Sequence, residues 1–179
     1  MTTEKTAGKV WVFGDDIDTD ALAPGLYMKG PLEELASHCL KAIDPNFAAT
    51  VQHGDVVVAG VNFGIGSSRE QAVEALKYLG VRTLVAKSFG GIFFRNALNF
   101  GMVAVVSADV DRISPGDRIT VDAASGTIEN LSKNETYTCE ILPPQLLAMV
   151  RDGGLVEHLE KKRAQAQLKD AGQRPTTPL

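Results

Sequence analysis

The stretch Asn62-Phe63-Gly64-Ile65-Gly66-Ser67-Ser68-Arg69-Glu70 gathers residue types that grip an anion. Gly64 and Gly66 let a backbone approach a ligand closely or take positive φ. Ser67 or Ser68 falls at the expected N-cap of the following helix, where free N–H groups and the positive dipole end favour negative oxygens. Arg69 adds a planar fork able to hold a carboxylate through paired hydrogen bonds. Together these read as a carboxylate or phosphate cradle. The bland alternative is a capping box, Ser67-x-x-Glu70, which needs no ligand. A Walker-type phosphate loop is excluded because no Gly-Lys-Ser/Thr occurs. The dinucleotide fingerprint GxGxxG is excluded because Arg69 stands in the third glycine's place.

Two other clusters carry polar groups. Gly14-Asp15-Asp16-Ile17-Asp18-Thr19-Asp20 sets four carboxylates within six residues, a composition that suits either Ca²⁺ or a solvated acidic turn. It lacks the glycine and distal glutamate of an EF-hand loop. Lys87-Ser88-Phe89 and Phe93-Phe94-Arg95-Asn96 place polar groups among apolar ones, a pattern that packing or capping also explains.

These clusters need elements to hold them. Lys9–Gly14, Gly54–Gly60, Thr83–Ser88 and Met102–Val106 read as strands, and the short apolar runs suit burial on both faces. Pro31–Ile43, Arg69–Gly80 and Gly91–Gly101 read as helices between them, with Ala21–Pro31 as a loop. That rhythm predicts an α/β fold with a partly parallel, helix-covered sheet. Asp117–Ala123, Gly126–Ser132 and Glu135–Leu142 then predict an antiparallel meander. A short helix from Pro143 and a charged one over Leu155–Lys169 close the chain. One domain over 1–170 and a flexible tail over 171–179 are expected.

Composition narrows the function classes. The chain has 179 residues, 18 Lys plus Arg against 22 Asp plus Glu, and a formal net charge of -4. This is no electrostatic footprint for nucleic acid or for an anionic membrane. No apolar run approaches the ~20 residues of a membrane helix. No apolar signal core stands at the N-terminus, so a cytoplasmic location is expected. Cys39 and Cys139, the two cysteines, form no CxxC or Cys/His cluster, and read as thiols in a reducing compartment.

Taken in order, GDDIDTDALAPG, GDVVVAGVNFGIGSSREQA and VAKSFGGIFFRNALNFGM resemble the small subunits of 3-isopropylmalate dehydratase, in the aconitase superfamily. The resemblance spans roughly Val10 to Val106 and implies a swivelling β/β/α domain. It implies a hydro-lyase of leucine biosynthesis that isomerises 2- and 3-isopropylmalate by dehydration and rehydration. It also implies a heterodimer whose large subunit carries a 4Fe-4S cluster, with no cofactor or metal in this chain. Carried over by motif, Ser67 is the catalytic base and Ser68 and Arg69 bind substrate carboxylate, while Thr19 and Asp20 belong to the site network with Asp20 orienting.

The family's Tyr-Leu-Arg-Thr segment, which faces the substrate's variable group, reads Tyr27-Met28-Lys29-Gly30 here. Met28 suits an alkyl group, and Lys29 would offer a cation to an additional carboxylate. Ile65 replaces a cysteine common in the family, Gln71 a histidine, and Gly90-Gly91 an Ala-Arg pair. Homoaconitase and 2,3-dimethylmalate dehydratase small subunits therefore stand as alternatives. A non-catalytic dicarboxylate-binding regulatory module is the alternative of another class.

Overall fold

The computed structural model describes residues 7–172. β1 (Gly8–Val12), β2 (Val56–Ala59), β3 (Thr83–Ala86) and β4 (Val103–Val106) pair in parallel, in the order β4-β3-β2-β1. Every residue of β2 is buried, as a parallel strand covered on both faces requires. β5 (Arg118–Asp122) joins β1 antiparallel, and β6 (Thr127–Asn130) and β7 (Glu135–Thr138) extend the meander. The parallel layer and the meander are thus one seven-stranded sheet. It curls until its edges meet: the Glu140 amide donates to Val106 O (2.8 Å) and Ser107 Oγ to Thr138 O (2.6 Å).

The connections from β1 to β4 carry α1 (Thr19–Leu22), α2 (Leu32–Ser37), α3 (Phe47–Thr50), α4 (Gln71–Tyr78) and α5 (Gly91–Asn99). α6 (Pro144–Arg151) and α7 (Leu155–Gly172) follow the meander. α2 packs on α4, α4 on α5, α5 on α6 and α6 on α7, so the helices form a continuous layer. Ala72, Val73, Ala75 and Leu76 of α4 are fully buried. Trp11 and Phe13 of the first strand segment meet the buried Phe47 edge to face, with centroids 5.2 and 5.3 Å apart.

Four expectations change. The helix expected over Pro31–Ile43 stops at Ser37, because Leu40 turns to φ 57° and its amide donates to Ala21 O (2.8 Å) instead of continuing the ladder. The acidic turn contains a helix, α1, capped by Asp18, whose Oδ1 accepts from the Ala21 amide (2.8 Å). The single-turn α3 stands where only a helix stop is expected. β7 ends at Thr138 because the chain then crosses to the β4 edge. The expected tail, 171–179, lies outside the described residues apart from the end of α7.

Candidate active site

The three segments that leave the carboxyl ends of β1, β2 and β3 run side by side, at the end of the parallel strands where α/β proteins commonly bind a ligand. Backbone bridges join Asp18 to Ile65 and Phe63 to Phe89. Gly64 N donates to Ile17 O (2.7 Å), Thr19 N to Ile65 O (2.9 Å), and Gly90 N to Phe63 O (2.8 Å). The turn needs its glycines. At Gly64 (φ 77°) an added Cβ would run into the Phe93 ring, and at Gly66 (φ 107°) it would crowd Thr19 Oγ1.

The acidic residues serve this junction. Asp15 Oδ1 accepts from the Val61 amide (2.8 Å), Asp16 Oδ1 accepts from Asn62 Nδ2 (2.8 Å), and Asp18 caps α1. Ser88 Oγ accepts from the Asn62 amide (2.8 Å). Lys87 pairs with Asp111 (2.7 Å), while Arg95 is exposed on α5. The calcium alternative meets carboxylates already committed to separate backbone and amide donors.

Four expected site residues come together. Thr19 Oγ1 and Ser67 Oγ lie 3.0 Å apart, although 48 positions separate them in the chain. Thr19 is buried, and its Oγ1 also accepts from the Ser67 amide (3.1 Å). That leaves the threonine O–H available to donate to Ser67 Oγ. Arg69 Nη1 donates to Asp20 Oδ1 and to Ala23 O (3.0 Å). The Arg69 side chain is 21% exposed, and Nη2 and Nε make no hydrogen bond among the described residues. Ser67 and Ser68 are exposed. The result is an open patch of two hydroxyls and half a guanidinium, donors that suit a carboxylate.

Neither the N-cap expected at Ser67 or Ser68 nor the alternative capping box forms. α4 begins at Gln71 with Glu70 as N-cap and no side-chain cap bond, so Ser67 and Ser68 stand ahead of the helix. Ser67 is instead positioned by Thr19. The segment after α1 makes a single 3-10 turn, Gly25–Tyr27, that passes Arg69. A Cβ at Gly25 would sit 3.9 Å from Arg69 Nη2. Met28 is half-buried against the core and Lys29 is exposed. Sequence reasoning missed Asp18 and Ser88 as tie points. An Asp three residues before Ala21 was a legible cap signal, whereas nothing local marks Ser88.

Among the described residues, no group of three or more His, Cys, Asp or Glu is gathered to hold a metal. Burial pushes the Cys39 thiol up, and burial first, then Asp122 and Glu140, push Cys139 up to about 11.

The family model for the aconitase C-terminal domain matches residues 36–109, which include the Gly64–Arg69 turn. The 3-isopropylmalate dehydratase small subunit 1 of Thermotoga maritima is 45% identical over 156 residues, 86% of this chain and 94% of that protein. The methanogen homoaconitase small subunit of Methanocaldococcus jannaschii is 47% identical over 158 residues, 87% of this chain and 92% of that one. The crystal structure of 3-isopropylmalate dehydratase from Methanocaldococcus jannaschii superposes with a TM-score of 0.86 at 44% identity. It covers 92% of this chain and 98% of its own.

Proposed function

The chain belongs to the family of 3-isopropylmalate dehydratase small subunits, of the aconitase superfamily, and on that premise we propose how its residues take part in the reaction. It is the small subunit of a hydro-lyase that isomerises 2- and 3-isopropylmalate, a step of leucine biosynthesis, in the cytoplasm and together with a separate large subunit. The observation that carries this reading is the meeting of Ser67 with Thr19 (3.0 Å) beside the Arg69–Asp20 pair, all beyond the carboxyl ends of the parallel strands.

Arg69 and Ser68 take a substrate carboxylate. Asp20 and Ala23 O hold one guanidinium nitrogen and leave the other edge for the acid. Ser67 removes the carbon-bound proton. A serine hydroxyl is a weak base, so its alkoxide needs donors. The Thr19 O–H supplies one at 3.0 Å, and the Arg69 charge adds a favourable field. With α4 starting only at Gln71, little of this stabilisation comes from a helix dipole, which decays within the first turn. A 4Fe-4S cluster on the large subunit would supply Lewis acidity at the leaving hydroxyl. The Pro24–Gly30 segment, with Met28 and Lys29, selects among substrates.

Homoaconitase is the second reading, favoured by the methanogen relative and by exposed Lys29, whose ammonium could meet an additional carboxylate. The purified chain, alone and mixed with a cluster-bearing large subunit, is assayed on 2-isopropylmalate, homocitrate and 2,3-dimethylmalate. Expected are no turnover alone and the fastest turnover of 2-isopropylmalate by the pair. Full turnover by the chain alone would remove the two-subunit reading. Faster homocitrate or dimethylmalate turnover moves the substrate to that acid. Tight dicarboxylate binding with no turnover by the pair makes the chain a regulatory module.

A further inference from the structure

The segment that passes Arg69 is tied down at its far end by an aromatic stack. Its backbone closes on itself: the Tyr27 amide donates to Pro24 O (3.0 Å) and the Gly30 amide to Tyr27 O (3.1 Å). Leu26 is 83% exposed, and Met28 packs on the core with a half-buried side chain. Tyr27 lies flat on the His38 imidazole, with ring centroids 3.6 Å apart and planes 16° from parallel.

His38 is built to present that plane. It is the C-cap of α2, and its Nδ1 lies 3.0 Å from Glu34 O and 3.1 Å from Ser37 Oγ. A carbonyl only accepts, so Nδ1 carries the proton, and Ser37 Oγ, itself donating to Glu34 O (2.7 Å), accepts a share of it. These bonds satisfy a carbonyl that the helix end would otherwise leave open. They also fix the ring's plane from the α2 side, independently of the segment that rests on it.

We propose that His38 is a positioning residue for substrate selection: by stacking under Tyr27 it sets where the Pro24–Gly30 segment stands relative to Arg69 and Ser67. This rests on the reading of that segment as the one that faces the substrate's variable group. Losing the stack leaves the chemistry of Ser67 and Arg69 in place and loosens the wall against which the alkyl group fits. The expected signature is in discrimination and KM before kcat.

The test uses the chain reconstituted with its large subunit. The ratio of kcat/KM for 2-isopropylmalate to that for an analogue without the alkyl branch is measured for wild type, His38→Ala, His38→Phe and Tyr27→Ala. An aromatic pair of this kind is worth roughly a two- to tenfold change in an equilibrium. His38→Ala should lower the ratio by about that factor, mainly through KM. His38→Phe, which keeps a flat ring but loses the Nδ1 bonds that hold its plane, should restore part of it. Tyr27→Ala removes the stack from the other side, should match His38→Ala, and should add nothing in the double variant. A wild-type ratio in His38→Ala overturns the proposal, and so does His38→Phe falling as far as His38→Ala. If His38→Ala fails to fold, Tyr27→Ala with a wild-type ratio overturns it too. Failure of the wild-type pair to turn over any hydroxy acid would instead count against the function itself.

Discussion

Two polar regions of one sheet, the β5–β7 meander and the turns that follow β1–β3, use their polar groups in opposite ways. In the meander they satisfy one another. Tyr137 and Asn130 are each 1% exposed. Asn130 Nδ2 donates to Asp117 Oδ2 (2.7 Å), Tyr137 Oη to Glu135 Oε2 (2.7 Å), and Lys133 Nζ to Ser114 Oγ (2.7 Å). Arg112 reaches Glu135 (3.1 Å) and lies over the Tyr137 ring (4.6 Å). Among the described residues no buried side-chain polar atom lacks a partner. At the ends of β1–β3, by contrast, the backbone is closely tied while Ser67, Ser68 and half of Arg69 face outward. Mutually satisfied groups fix a shape, whereas rigidly held, half-satisfied groups are ready for a ligand.

The largest test of that contrast is Ser67→Ala. Removing a general base should cut turnover by about 10²–10⁴-fold. Assembly should hold, because Ser67 is exposed, and thermal stability should fall only slightly, through the Thr19 hydroxyl that loses its acceptor. Wild-type rates in the reconstituted enzyme would remove Ser67 from the reaction.

Asn130→Ala is the mirror experiment. It strips a buried donor from Asp117 and an acceptor from the Ser132 and Lys133 amides (both 3.1 Å). The cost should be about 1–3 kcal/mol of stability, read as a lowered melting temperature, with kcat close to wild type. Loss of activity without loss of stability would mean that the meander is coupled to the site.

The smallest effect is the acid limb of stability. The Thr138 amide, first, and then Arg112 hold the Asp109 carboxyl below its usual range, and the Tyr137 hydroxyl, first, and then Arg112 do so for Glu135. A carboxyl lowered by folding stabilises the native state above the unfolded pKa, about 4, and that contribution is lost as pH falls through the lowered values. Melting temperature should therefore be flat near neutrality and fall below about pH 4. Asp109→Asn should flatten that limb slightly, and an unchanged limb would take Asp109 out of the network.

Much of this was legible locally. Val56-Val57-Val58-Ala59 announces a doubly covered strand, and Ala72, Val73 and Leu76 announce a helix face. What was not legible has a common cause. The pattern Ser67-x-x-Glu70 fits a capping box, yet the Ser67 amide finds a better partner 48 residues away in Thr19. The apolar spacing through Leu40 fits a longer helix, yet its amide is taken by Ala21 O. The Tyr27–His38 stack leaves no periodic trace at all.

The sequence by itself determined the strand and helix types, the glycine turn, and which side chains could bind an acid, because side-chain period and backbone freedom are local properties. Only the tertiary structure decided that Thr19 meets Ser67, that Asp20 rather than a ligand holds one end of Arg69, and that the acidic turn is structural scaffolding. Hydrogen-bonding groups go to whichever partner the packed chain brings near, and that choice is made by contacts tens of residues apart.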